Sequence, residues 1–134
     1  MTQVLNALPA SLLVAIGGAV GALARYQLGL GVARIAGLQA GFPWGTLAVN
    51  LLGCLAMGAL MGALARTGAA AEPLRLLVGV GLLGGFTTFS AFGLEMVMLI
   101  ERGSAGAAVL YAAGSFIGGI AALTCGLAIA RGGL

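Results

Sequence analysis

Charge is confined to nine positions of this 134-residue chain: 25, 34, 66, 72, 75, 95, 101, 102 and 131, six of them arginine and three glutamate. Between them lie uncharged runs of 24 residues (1–24), 31 (35–65), 19 (76–94) and 28 (103–130). A helix crossing a bilayer needs about 20 mainly apolar residues, so each run supplies most or all of one span. A soluble domain carries about 25% charged residues, against 7% here, which is too few to cover a water-facing surface. The spacing predicts an all-α integral membrane protein, one domain over 1–134, with four transmembrane helices in the lipid bilayer.

Pro9, Pro43 and Pro73 each stand just ahead of an apolar run, where proline suits the first helical turn. Helices are expected near 10–32, 45–65, 74–100 and 105–130, with connections near 33–44, 66–73 and 101–104. Trp44 is expected at an interface. Ala22-Leu23-Ala24 resembles a cleavage site, but residues 1–24 carry no basic n-region, so the first run reads as a retained helix. With no His and no Asp, hydrolytic triads and most metal sites lack their parts, and no enzyme is expected. Six scattered Arg make no nucleic-acid patch. Cys54 and Cys125 read as small packing residues.

Glycine supplies 25 residues, well above the average of about 7%, and recurs as small-xxx-small pairs at Gly17/Gly21, Gly58/Gly62, Gly81/Gly85 and Gly114/Gly118. Such pairs let helix backbones approach closely in lipid. Four thin helices enclose little space, so a path between subunits is expected. Arg66, Arg75 and Arg131 fall on one side and Arg25, Arg34 and Arg102 on the other. This even count leaves the positive-inside rule nothing to choose and permits opposite copies to pair as an antiparallel, dual-topology homodimer.

The third run is unusual. Gly79-Val80-Gly81-Leu82-Leu83-Gly84 matches a GxGxxG pattern, but no strand precedes it and it lies within a membrane-length run, so a dinucleotide site is rejected. Gly84-Gly85-Phe86-Thr87-Thr88 falls near the centre of helix 3, and its residues are poor helix formers. Two arrangements fit. Either the helix breaks at the bilayer midplane and frees carbonyls for a cation, or it stays unbroken with the threonines bonded to the preceding turn. Beyond this segment Phe89 and Phe92 share a helix face, and their positive ring edges favour an anion. Thr46 and Asn50 on helix 2 and Tyr111 and Ser115 on helix 4 stand at i, i+4. With Ser90, they offer donors in a stretch expected to hold no carboxylate. Such a path suits a small anion better than a cation.

Three segments in register carry a resemblance over the whole chain: Gly17-Gly18-x-x-Gly21-Ala22-x-x-Arg25-Tyr26, Gly45-Thr46-Leu47-x-Val49-Asn50-x-x-Gly53 and Gly84-Gly85-Phe86-Thr87-Thr88-Phe89-Ser90-x-Phe92. They resemble the Fluc (CrcB) fluoride channels. The resemblance implies an antiparallel homodimer with two fluoride pores, exporting fluoride passively across the inner (plasma) membrane of a microbe. It also implies a structural sodium ion (Na+) at the dimer centre, held by the backbone carbonyls of Gly84 and Thr87. Phe89 and Phe92 would be the pore phenylalanines, and Asn50 the donor orienting fluoride. Thr46, Ser90, Tyr111 and Ser115 would form the polar track, and Arg25 would stand in a vestibule, where it can snorkel from near the end of helix 1.

The sequence departs from the family pattern at Ala91, which lacks a common hydroxyl, at Leu55, where Phe is frequent, and at Gly119, which offers no hydroxyl one turn beyond Ser115. Glu95 is expected either to pair with Arg25 or to lie solvated at an interface. A proton antiporter of the small multidrug type would need an intramembrane acid, which helices 1 and 2 lack. A membrane thiol enzyme would depend on Cys54 and Cys125. A purely structural subunit would leave Asn50, Phe89 and Phe92 without a purpose.

Overall fold

The structure, a computed structural model, describes residues 8–37, 41–65 and 72–132. Arg66 and most of the expected 66–73 connection lie outside these. The described residues form α1 (Ala10–Ala36) and α2 (Trp44–Leu64). A compound third span follows, and then α6 (Ala105–Arg131). The third span comprises α3 (Glu72–Leu74), a π-helical stretch (Arg75–Leu83), α4 (Gly84–Phe86) and α5 (Phe89–Glu101). The four spans are each long and apolar enough to cross a membrane. α1 runs past residue 32 through Ala33, Arg34, Ile35 and Ala36, and Gly37 ends it at φ 89°, where a residue without a β-carbon is unstrained.

Backbone contact organises the bundle into two pairs of spans. α1 lies against the π-helical stretch so closely that a β-carbon at Gly17 would strike the Leu77 carbonyl, and one at Gly21 the Leu82 carbonyl. A β-carbon at Gly81 would come within 2.9 Å of the Val14 carbonyl oxygen, and one at Gly85 within 2.5 Å of that of Gly18. α2 meets α6 in the same manner, Gly58 against the Leu123 carbonyl and Gly126 against that of Leu55. Without a hydrophobic drive between helices, such approach maximises dispersion and excludes lipid. Three of the four expected pairs thus sit at backbone seams. In the fourth, Gly114 faces open space and Gly118 meets only the Leu51 side chain.

The side-chain core is small: Leu13, Val49, Leu83, Leu99, Ala108 and Tyr111 are the buried hydrophobics among the described residues. Leu99, Ala108 and Tyr111 cluster where α5 meets α6, with Phe42, Leu47, Phe92 and Met96 around them. Many large apolar side chains point outward, among them Ile35, Phe116 and Phe89. An apolar exterior over a thin core suits a chain whose surroundings are lipid.

Candidate functional site

The third span is interrupted at Thr87 and Thr88, which take extended conformations (φ −79°, ψ 158° and φ −149°, ψ 126°) before α5 resumes at Phe89. Elements of both sequence expectations are present, because Thr87 Oγ1 also donates back to the Leu83 carbonyl at 3.0 Å. The interruption redirects two backbone donors. The Thr88 N–H, which an unbroken helix would give to Gly84, donates instead to Asn50 Oδ1 at 2.9 Å. The Ala91 N–H, which would go to Thr87, donates to Thr88 Oγ1 at 3.2 Å. Gly84 and Thr87 therefore keep carbonyls whose regular helical partners bond elsewhere. These are hard oxygen donors of the type an alkali cation takes.

Asn50 does more than the sequence suggested. Its Nδ2 also donates to the Thr88 carbonyl at 3.0 Å, so one side chain on α2 satisfies both backbone groups of the residue at the break. An amide nitrogen carries two N–H groups, so one remains. Asn50 borders a cavity of about 320 Å³, together with Cys54, Thr87, Phe89, Phe92 and Ser115, among others. Phe89 and Phe92 stand with ring centroids 5.7 Å apart. Phe89 is 84% exposed in the single chain, whereas Phe92 packs on Tyr111 at 4.9 Å. Ser115 Oγ is buried with no hydrogen-bond partner. A buried hydroxyl in that condition costs about 1–3 kcal/mol and marks a place where a ligand or water can be accepted.

Thr46 and Tyr111 do not line this cavity. Both donate to Glu95, Thr46 Oγ1 to Oε1 and Tyr111 OH to Oε2, each at 2.6 Å. This corrects two expectations: a carboxylate does share the stretch of donors, and Glu95 neither pairs with Arg25 nor lies solvated. The physical reason is packing. Residue 95 faces α2 and α6, whose hydroxyls replace the water it would lose, at the short distances typical of charge-assisted bonds. Glu95 and Thr46 border a second cavity of about 360 Å³ with Phe42, Trp44 and Arg102. Ser90 is exposed and lies 3.3 Å from Thr88 Oγ1.

Arg25 is eleven residues short of the end of α1, farther inside than the expected helix end at 32 placed it. It borders a third cavity of about 430 Å³, along with Tyr26, Thr46, Thr88 and Ala91. The ten expected site residues thus fall into distinct groups. Asn50, Phe89, Phe92, Ser115 and Thr87 surround one cavity, Gly84 and Ser90 flank the break, Thr46 and Tyr111 hold Glu95, and Arg25 stands across from the break. Sequence reading missed the carboxylate anchor and Cys54. Glu95 does lie three residues after Phe92, a spacing that puts the two on one face of α5, where both meet Tyr111.

Four apolar spans, one of them interrupted beside side-chain donors gathered between helices, define a multi-pass helical membrane protein with its polar groups turned inward. The chain belongs to the CrcB family: the model described as "CrcB-like protein, Camphor Resistance (CrcB)" matches residues 12–127. It is 55% identical over 123 residues to a "Fluoride-specific ion channel FluC" of Novosphingobium aromaticivorans, covering 92% of this chain and 97% of the relative. Proteins of the same name from Sphingopyxis alaskensis and Phenylobacterium zucineum are 51% and 54% identical over 118 and 123 residues. These cover 88% and 91% of this chain, and 92% and 95% of the relatives. The relatives are named as ion channels and not as enzymes.

Proposed function

We propose that the chain is a fluoride channel, in which the cavity between Asn50, Phe89, Phe92 and Ser115 belongs to the path. The buried, unpartnered Ser115 hydroxyl carries this reading. Together with the spare Asn50 N–H, it offers a dehydrating anion the donors that replace its water shell, while two ring edges add favourable potential without a fixed charge. Ser90 extends the series, while the Thr46 and Tyr111 hydroxyls are engaged by Glu95, and Arg25 raises the local anion concentration. The names borne by relatives at about half identity support fluoride as the ion.

The working unit is an antiparallel homodimer with two pores, passing fluoride outward down its gradient across the inner (plasma) membrane. The even arginine count supports dual topology, and the outward-facing Phe89 supports a second copy completing the path. The break in the third span lies at the bilayer midplane and faces its counterpart in the partner subunit. Gly84 and Thr87 would contribute carbonyls to a structural sodium ion there, whose charge offsets the oxygens that the interrupted helix leaves in low dielectric.

The test is fluoride efflux from liposomes holding the purified protein, with chloride as the parallel ion. Rapid fluoride release with little chloride is expected. Silence toward fluoride from folded protein in sodium-containing buffer would refute the proposal. It would turn attention to proton-coupled cation transport, for which the interior Glu95 is the available acid.

A further inference from the structure

The two cysteines occupy different surroundings. Cys125 is exposed on α6, while Cys54 borders the same cavity as Asn50, Phe92 and Ser115. Cys54 follows Asn50 at i, i+4, so the thiol and the amide share one face of α2. Opposite stands Gly119, one turn beyond Ser115 on α6. A β-carbon built on Gly119 would lie 3.5 Å from the Cys54 sulfur. The sulfur therefore occupies the space that a side chain at 119 would fill, at the level where the sequence lacks a hydroxyl. A second observation marks this cavity as a place for a ligand: the Ser115 hydroxyl oxygen beside it is buried and unpartnered.

We propose that Cys54 is the next group to face the anion after Asn50 and Ser115, its S–H standing where Gly119 offers no donor, and that its thiol is reachable from the path by small neutral reagents. The inference rests on the fluoride reading above. A thiol is a weak donor, so this turn of the path holds the anion more loosely than a hydroxyl would. Cys54→Ala leaves the turn with no donor, and flux falls about two- to threefold, less than the roughly fivefold worth of one ordinary hydrogen bond. Cys54→Ser places a stronger donor at the same point and conducts faster than Cys54→Ala.

The decisive experiment treats reconstituted wild-type, Cys54→Ser and Cys125→Ser channels with methyl methanethiosulfonate and follows fluoride efflux and intact mass. The Cys54 sulfur, its proton lost to water, attacks the methylthio sulfur of the reagent. A disulfide forms and methanesulfinate leaves. The added methylthio group projects into the cavity and narrows it beside Asn50 and Ser115. Wild-type and Cys125→Ser channels should lose flux and recover it on reduction with dithiothreitol, Cys54→Ser should be indifferent, and fluoride should slow the modification. Cys54 modified without loss of flux overturns the inference, as does Cys54 unmodified under conditions that modify Cys125. Wild-type protein silent toward fluoride before treatment overturns the fluoride reading itself, whatever the thiols do.

Discussion

Replacing Asn50 by alanine removes both hydrogen-bond partners of the Thr88 backbone, an acceptor at 2.9 Å and a donor at 3.0 Å. Two accounts of this contact predict different costs. If it is an ordinary interhelical side-chain contact, each bond contributes about 0.6 kcal/mol, the average for such bonds in membrane helices, and the variant loses about 1 kcal/mol. If it satisfies backbone groups that an interrupted helix leaves stranded, each orphan costs about 1–3 kcal/mol. Thr88 is only half-buried in the single chain, which favours the lower half of that range, so the expected loss is roughly 2–4 kcal/mol. Unfolding of the purified protein by a rising mole fraction of SDS, read by the fluorescence of the sole tryptophan, Trp44, measures it. Thr124→Ala serves as the control, since Thr124 bonds only carbonyls of its own helix. Asn50→Ala within about 1 kcal/mol of wild type would refute the argument that this side chain stabilises the break.

Other outcomes follow from the same geometry. Glu95→Gln gives up one of two 2.6 Å bonds that tie α5 to α2 and α6, and should lower stability by about 1.5–3 kcal/mol in the same titration; unchanged stability would show that the carboxylate does not hold the three spans. Phe89→Ile and Phe92→Ile should slow fluoride efflux while a folded dimer is retained on size exclusion, and normal flux in both would remove the ring-edge argument. Thr87→Ala should conduct, because the group assigned to sodium is a carbonyl; abolished flux with the dimer intact would shift the role to the hydroxyl. Gly58→Leu, aimed at the Leu123 carbonyl, should prevent recovery of folded protein. Gly114→Ala, in open space, should stay within about 0.5 kcal/mol of wild type.

The spans were legible because charge and apolar length are properties of contiguous sequence, and the lipid environment reads them directly. The interruption at Thr87 and Thr88 was half legible: two glycines and two threonines in succession weaken a helix, but whether it breaks depends on what receives the diverted N–H groups. That recipient, Asn50, lies 38 residues away on another span, and no local pattern reports its alignment with Thr88. Glu95 was misread for the same reason. Its hydroxyl partners stand 49 and 16 residues off, so a carboxylate that looked peripheral along the chain is held from two other spans across it. The π-helical stretch had no compositional sign apart from glycine. Its wider turns accompany the seam against α1, and the Gly84 N–H at its end bonds the carbonyls of both Gly79 and Gly81.

The seams between α1 and the third span, and between α2 and α6, also have a genetic consequence. Every nucleotide change that leaves a glycine codon for another amino acid introduces at least a β-carbon. At Gly17, Gly21, Gly58 and Gly126 that atom lands on a backbone carbonyl of the facing helix, which cannot rotate aside as a side chain tip can. These positions therefore have no neutral neighbours in codon space, and a saturation library selected for growth in fluoride should return them as glycine alone. Gly29, Gly31 and Gly106, with nothing within 4 Å of an added carbon, should drift freely in the same library.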